Sequence, residues 1–94
     1  MTKTLFFPPK HKEAAEQISI ESPADALASV KWLSEEWNNA KTRAKKRRLI
    51  RYAVLAMNRA NAMLKKKNLS QKERREFRQI VRIYKNWLER HRLG

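Results

Sequence analysis

Residues 40–70 read AKTRAKKRRLIRYAVLAMNRANAMLKKKNLS, a stretch with eleven lysines and arginines and no carboxylate. It is either a disordered basic tail, a targeting signal or one helix with two unlike faces, and the spacing of its apolar residues decides. Leu49, Ala53, Ala56, Ala60 and Met63 recur in alternating steps of four and three, with Ile50, Val54, Met57 and Leu64 beside them. That is the stripe of an amphipathic helix. With Leu49 as origin, the apolar positions fill an arc from about 320° through 0° to about 140° at 100° per residue. Arg47, Arg48, Arg51, Asn58, Arg59, Lys65 and Lys66 fall opposite, between about 160° and 280°, together with Leu55 and Ala62. The spacing predicts a helix over residues 42–67 with a core face and a basic face. Lys65, Lys66 and Lys67 are expected in its last turn, where cations suit the helix dipole. Asn68 is expected as the left-handed residue that follows, with Leu69 folding back towards Leu64.

A second helix starts at once. Ser70-Gln71-Lys72-Glu73 has the form of a capping box, in which hydroxyl and carboxylate satisfy each other's free backbone N–H groups. Phe77, Ile80, Val81, Tyr84, Trp87 and Leu88 then keep helical spacing. On the N-terminal side, Ser22 is an expected N-cap, Pro23 sits where its missing N–H is harmless, and Asp25 follows three residues after the cap. Ala26, Val30, Leu33, Trp37 and Ala40 form the seam of that helix. The expected fold is all-α: an antiparallel three-helix bundle, or a long helical hairpin with the first helix packed on it. Residues 22–94 would form this basic helical domain. Residues 1–21 read as an irregular N-terminal arm, with Phe6 and Phe7 before Pro8-Pro9 as an extended anchor and a helical turn or two over residues 10–17.

The chain has 94 residues, enough for one small domain, and 41% of them are hydrophobic, too many for a disordered basic protein. It has no cysteine, so disulfides, thiolate metal sites and thiol nucleophiles are absent, which suits a cytoplasmic location. No apolar run approaches the roughly 20 residues that span a bilayer. The opening MTKTLFFPPK is broken by proline too early for a secretory signal.

Charge is unevenly placed. The formal net charge is +14, with residues 1–37 at −2 and residues 38–94 at +16. Residues 38–72 contain twelve basic side chains and no acid, so ion pairs within that helix cannot form. A solvated face usually mixes signs; this one points to a polyanionic partner, nucleic acid first and an anionic membrane surface second. The candidate contacts are Lys41, Arg43, Lys45, Arg47, Arg48, Arg51, Arg59, Lys65 and Lys66, continued on the next helix by Arg75, Arg78 and Arg82. Spread over several turns, they suit a phosphate backbone better than base edges. A helix-turn-helix reader using Gln71, Arg74, Arg75 and Arg78 would need a shorter supporting helix. The KKRR run at residues 45–48 also fits a localisation signal.

Trp37, Phe77, Tyr84 and Trp87 lie on core stripes, which leaves few aromatic platforms for single-strand stacking. Trp32, Leu55 and Ile83 lie off the seams. Either the N-terminal arm covers them, with Phe6 and Phe7 as plugs, or all five form a protein-docking patch. Nothing indicates an enzyme: His11 and His91 fall in the expected tails, Glu35 and Glu36 diverge on a helix, and Glu76 is accounted for by Lys72 four residues before it. Gly94, the only glycine, rules out a phosphate-binding glycine loop. No cofactor or metal is expected.

Three stretches, AKTRAKKRRLIRYAVLAMNRANA, KNLSQKERREF and IYKNWL, resemble small basic helical proteins of thermophilic archaea. Over about residues 30–90 the pattern is similar to the small accessory subunits that bind archaeal B-family DNA polymerases. The resemblance implies a non-catalytic subunit that docks on the polymerase by one face and holds template or displaced strand on its basic face. It carries over no individual catalytic or ligand residue. A ribosome-associated RNA-binding protein, an adaptor for an acidic protein partner, a homodimer and a sequence-specific DNA reader are the competing readings.

Overall fold

A computed structural model describes residues 17–91. Three helices pack against one another, α1 (Pro23–Asn39), α2 (Arg43–Leu64) and α3 (Gln71–Arg90), and no strand occurs among the described residues. The fold is an all-α three-helix bundle. Phe6, Phe7, His11 and the helical turn expected over residues 10–17 lie largely or wholly outside the described residues.

Local chemistry sets the boundaries. The Ser22 hydroxyl accepts from the Asp25 N–H at 3.1 Å, with Pro23 in the first turn. Thr42 caps α2 by accepting from the Lys45 N–H at 3.2 Å. The capping box of α3 is complete: the Glu73 N–H donates to Ser70 Oγ and the Ser70 N–H to Glu73 Oε1, both at 3.1 Å. Glu76 makes no pair with Lys72.

The end of α2 departs from expectation. The helix stops at Leu64 and Lys65 is its C-cap, so Lys65, Lys66 and Lys67 follow the helix instead of closing it, and Asn68 is not the capping residue. The Lys65 and Lys66 N–H groups donate to the Ala62 and Met63 carbonyls at 3.1 and 3.2 Å, three residues back, which tightens the final turn. The dipole's cation comes from the next helix, whose Arg74 guanidinium donates to the Leu64 and Lys66 carbonyls at 3.5 and 3.4 Å.

Small and large side chains alternate in the core. Ala53, Ala56 and Ala60 are fully buried along α2, which lets the neighbouring helices approach; Leu33, Leu49, Ile80 and Tyr84 fill the space between. Val30, Trp37, Met63, Phe77, Val81 and Leu88, all read as core seam, are half-buried at its margins.

The division at residue 21 does not mark the edge of the core. Ile18 and Ile20 are buried within it, and Ser29 is buried beside them. Ser29 Oγ accepts from the Ser19 N–H at 2.9 Å and has its one proton to offer to the Gln17 carbonyl at 2.9 Å or the Asp25 carbonyl at 2.8 Å. The Tyr84 hydroxyl donates to the Ser19 carbonyl at 2.7 Å. Residues 17–21 are thereby tied to α1 and α3. Burial pushes the Tyr84 phenol up to about 12.

Candidate functional site

All twelve basic residues expected to bind polyanion are exposed. They do not form one flat face. On α2, Arg47, Ile50, Val54, Met57, Asn61 and Leu64 follow one row of positions three and four apart, with Arg51 beside it. On α3 the corresponding row is Arg78, Val81, Lys85 and Leu88, flanked by Arg82. The two rows border an open trough of about 590 Å³ between Val54, Met57 and Asn61 on one side and Val81, Lys85, Leu88 and Glu89 on the other. It continues as a space of about 450 Å³ along Leu64, Arg78, Arg82 and Asn86. The paired residues, Val54 with Leu88 and Leu64 with Arg78, require α2 and α3 to run antiparallel. No residue of α1 lines either part, so the trough lies on the side of the α2/α3 hairpin away from α1.

Arg48 and Arg59 project from the other flank of α2, and Arg75 from the outer side of α3, by their positions about 100° per residue from the core stripes, while Lys65 and Lys66 follow the end of α2. Lys41 precedes α2 in the turn between helices. Lys45 is placed otherwise than a free phosphate contact would be, because its Nζ lies 3.3 Å from Glu36 Oε1 on α1. The ban on pairing holds within α2 but not between helices.

Lys46 is also drawn towards α1. It is half-buried, with its Nζ 5.2 Å from the centre of a Trp37 ring, in cation–π geometry. Trp37 meets Trp87 edge to face at 5.8 Å, and His91 stacks on Trp87 at 4.2 Å and 17°. Trp87 Nε1 donates to Ser34 Oγ at 2.9 Å. His91 is not a tail residue: it is the C-cap of α3, and its Nδ1 lies 2.8 Å from the Trp87 carbonyl. A carbonyl can only accept, so Nδ1 carries the proton in this contact. No group of three or more potential metal ligands occurs among the described residues.

Of the expected docking patch, Phe6 and Phe7 lie outside the described residues. Trp32 and Ile83 are half-buried against the core, so neither stands free as an anchor. Leu55 is exposed at 44%, and Leu27 on α1, absent from the sequence-based expectation, at 57%. The sequence-based reading also missed the trough. Its signal was present in α2, whose apolar arc of about 180° is wider than the roughly 100° one core face needs.

No helix among the described residues is long and apolar enough to cross a membrane. No protein-family model, curated protein or solved structure matches the chain.

Proposed function

We propose that this chain is a non-catalytic accessory protein that holds a nucleic-acid phosphate backbone on its basic helical surface. Its setting is a larger replication or repair complex, such as one built around a DNA polymerase. The observation that carries this reading is the start of α2. Five of its first six residues, Arg43, Lys45, Lys46, Arg47 and Arg48, are cations, and its first turn has no acid. The positive end of the helix dipole disfavours the charges in that first turn, Arg43, Lys45 and Lys46, by about 0.3–1 kcal/mol each. The other two helices follow the opposite rule, with Asp25 and Glu73 in their first turns. A surface built only for solubility has no reason to concentrate cations where they cost stability. A bound polyanion removes that cost and releases its own counterions.

Lys45 and Lys46 are held by Glu36 and Trp37, so Arg43, Arg47, Arg48 and Arg51 are the principal α2 contacts, extended by Arg59, Arg75, Arg78 and Arg82. The test is a salt titration of binding to matched duplex DNA, single-stranded DNA and folded RNA, followed by fluorescence anisotropy. For about six phosphate contacts on duplex, log K should fall against log salt with a slope near −5. Weak, unranked binding that disappears at physiological salt would remove this function. Preference for folded RNA would move the setting from replication to the ribosome.

A further inference from the structure

We infer that the α2/α3 trough is a docking site for an acidic amphipathic helix of a partner protein, which seats as a fourth helix beside the hairpin. This inference stands independently of nucleic-acid binding, because it rests on the floor of the trough as well as its charge. The floor is aliphatic: Val54, Met57, Val81 and Leu88. The α3 bank is basic, with Arg78, Arg82 and Lys85 lining it, while Val54, Met57, Asn61 and Leu64 on the α2 side carry no charge; Glu89 is the acid among the lining residues. Two antiparallel helices leave a groove on each side, and here α1 occupies only one. A helix laid in the other would bury an apolar stripe on the floor and present acids to the α3 bank. Met57 adds an unbranched, adaptable side chain to the contact.

Other occupants fit less well. A second copy of this chain, at +14, would bring like charge to the basic α3 bank. Residues 1–16 hold three lysines and two glutamates, so they do not complement the charge either. A phosphate backbone gains nothing from aliphatic side chains, and base stacking needs aromatic ones, whereas Tyr52, Tyr84 and Trp87 are buried in the core. A membrane surface does not enter a concave trough.

The experiment uses the full chain and three synthetic capped peptides of about 18 residues, roughly five helical turns. The first carries leucine on one stripe and glutamate on its flanks. The second has the same composition scrambled to destroy the stripe, and the third has lysine in place of glutamate. At about 0.15 M salt the first peptide should bind at least about tenfold more tightly than the second, with no binding of the third, since screened charge alone cannot separate the first two. Methyl NMR signals of Val54, Met57, Val81 and Leu88 should shift on binding. The paired variant Arg78→Glu/Arg82→Glu changes only exposed positions, so it leaves the fold intact and should weaken binding about tenfold or more. Val81→Glu should do the same, with circular dichroism checking that it folds. Equal binding of the first two peptides, shifts confined to other surfaces, or duplex DNA shifting the floor methyls in place of the peptide would each overturn the proposal.

Discussion

The two sides of the α2/α3 hairpin are built on opposite plans. On one, α1 and residues 17–21 close over Leu49, Ile80, Tyr84 and Trp87, and no buried side-chain nitrogen or oxygen among the described residues lacks a partner. On the other, Val54, Met57, Val81 and Leu88 stay half-open to solvent beside the cationic bank of α3. The closed side satisfies every group and spends its composition on stability. The open side leaves apolar floor and like charges uncompensated, an arrangement that folding alone does not favour. On the proposed reading, stability and recognition fall to different sides of the same two helices.

The contrast can be broken most strongly on the closed side. Leu33→Ala, at a fully buried position, should cost about 2–5 kcal/mol in a denaturant melt. Val81→Ala on the open side should cost under about 1.5 kcal/mol in the same melt, and an equal loss would mean that the trough is core. Charge on the open side and α2's outer face should behave in reverse. Converting Arg47, Arg48 and Arg51 to Gln should leave the melt unchanged or raise it, while the salt slope for duplex binding shrinks by about 2.7, at roughly 0.9 per lost contact. Unchanged slope and affinity would take these arginines out of the interface.

Smaller effects sharpen the closed side. Ser29→Ala leaves the Ser19 N–H without its partner and should cost about 1–3 kcal/mol, read by thermal melting. The last effect depends on pH. Burial holds the Tyr84 phenol neutral up to about 12, against 10 in the unfolded chain. Its contribution is complete below about pH 10 and is lost between about pH 10 and 12, where the unfolded state releases a proton that the folded state keeps. Tyr84→Phe should flatten that decline relative to the parent chain in pH-dependent urea melts. If both chains lose stability in parallel, other groups control the alkaline limb.

Much of the fold was legible because local and periodic signals agree. Ser22, Pro23, Ser70 and Glu73 announce helix starts through backbone chemistry that needs no tertiary information, and the alanine stripe of α2 marks its core face. The misses share a cause: each depends on a neighbour distant in sequence. Ile18 and Ile20 show no helical period, so nothing local distinguishes a buried strap from an arm. Ser29 and Tyr52 look peripheral on a helical wheel until residues 17–21 and the other helices close over them. Lys45 appears unpaired because Glu36 belongs to another helix, and α2 ends early because Arg74, ten residues beyond Leu64, supplies its terminal hydrogen bonds. The exposure of the twelve cations was readable from spacing alone. Their division into banks and outer flanks was not, since it depends on where α1 packs.

The aromatic cluster beside Lys46 gives the molecule a built-in optical reporter. Two of its three tryptophans, Trp37 and Trp87, touch each other and His91 where the C-termini of α1 and α3 meet the N-terminus of α2. Indole emission responds to the charge and packing of its neighbours, and Lys46 sits over Trp37 within the cation run of α2. Loss of the Lys46 charge should therefore shift or change the intensity of the protein's own tryptophan emission, without any attached dye.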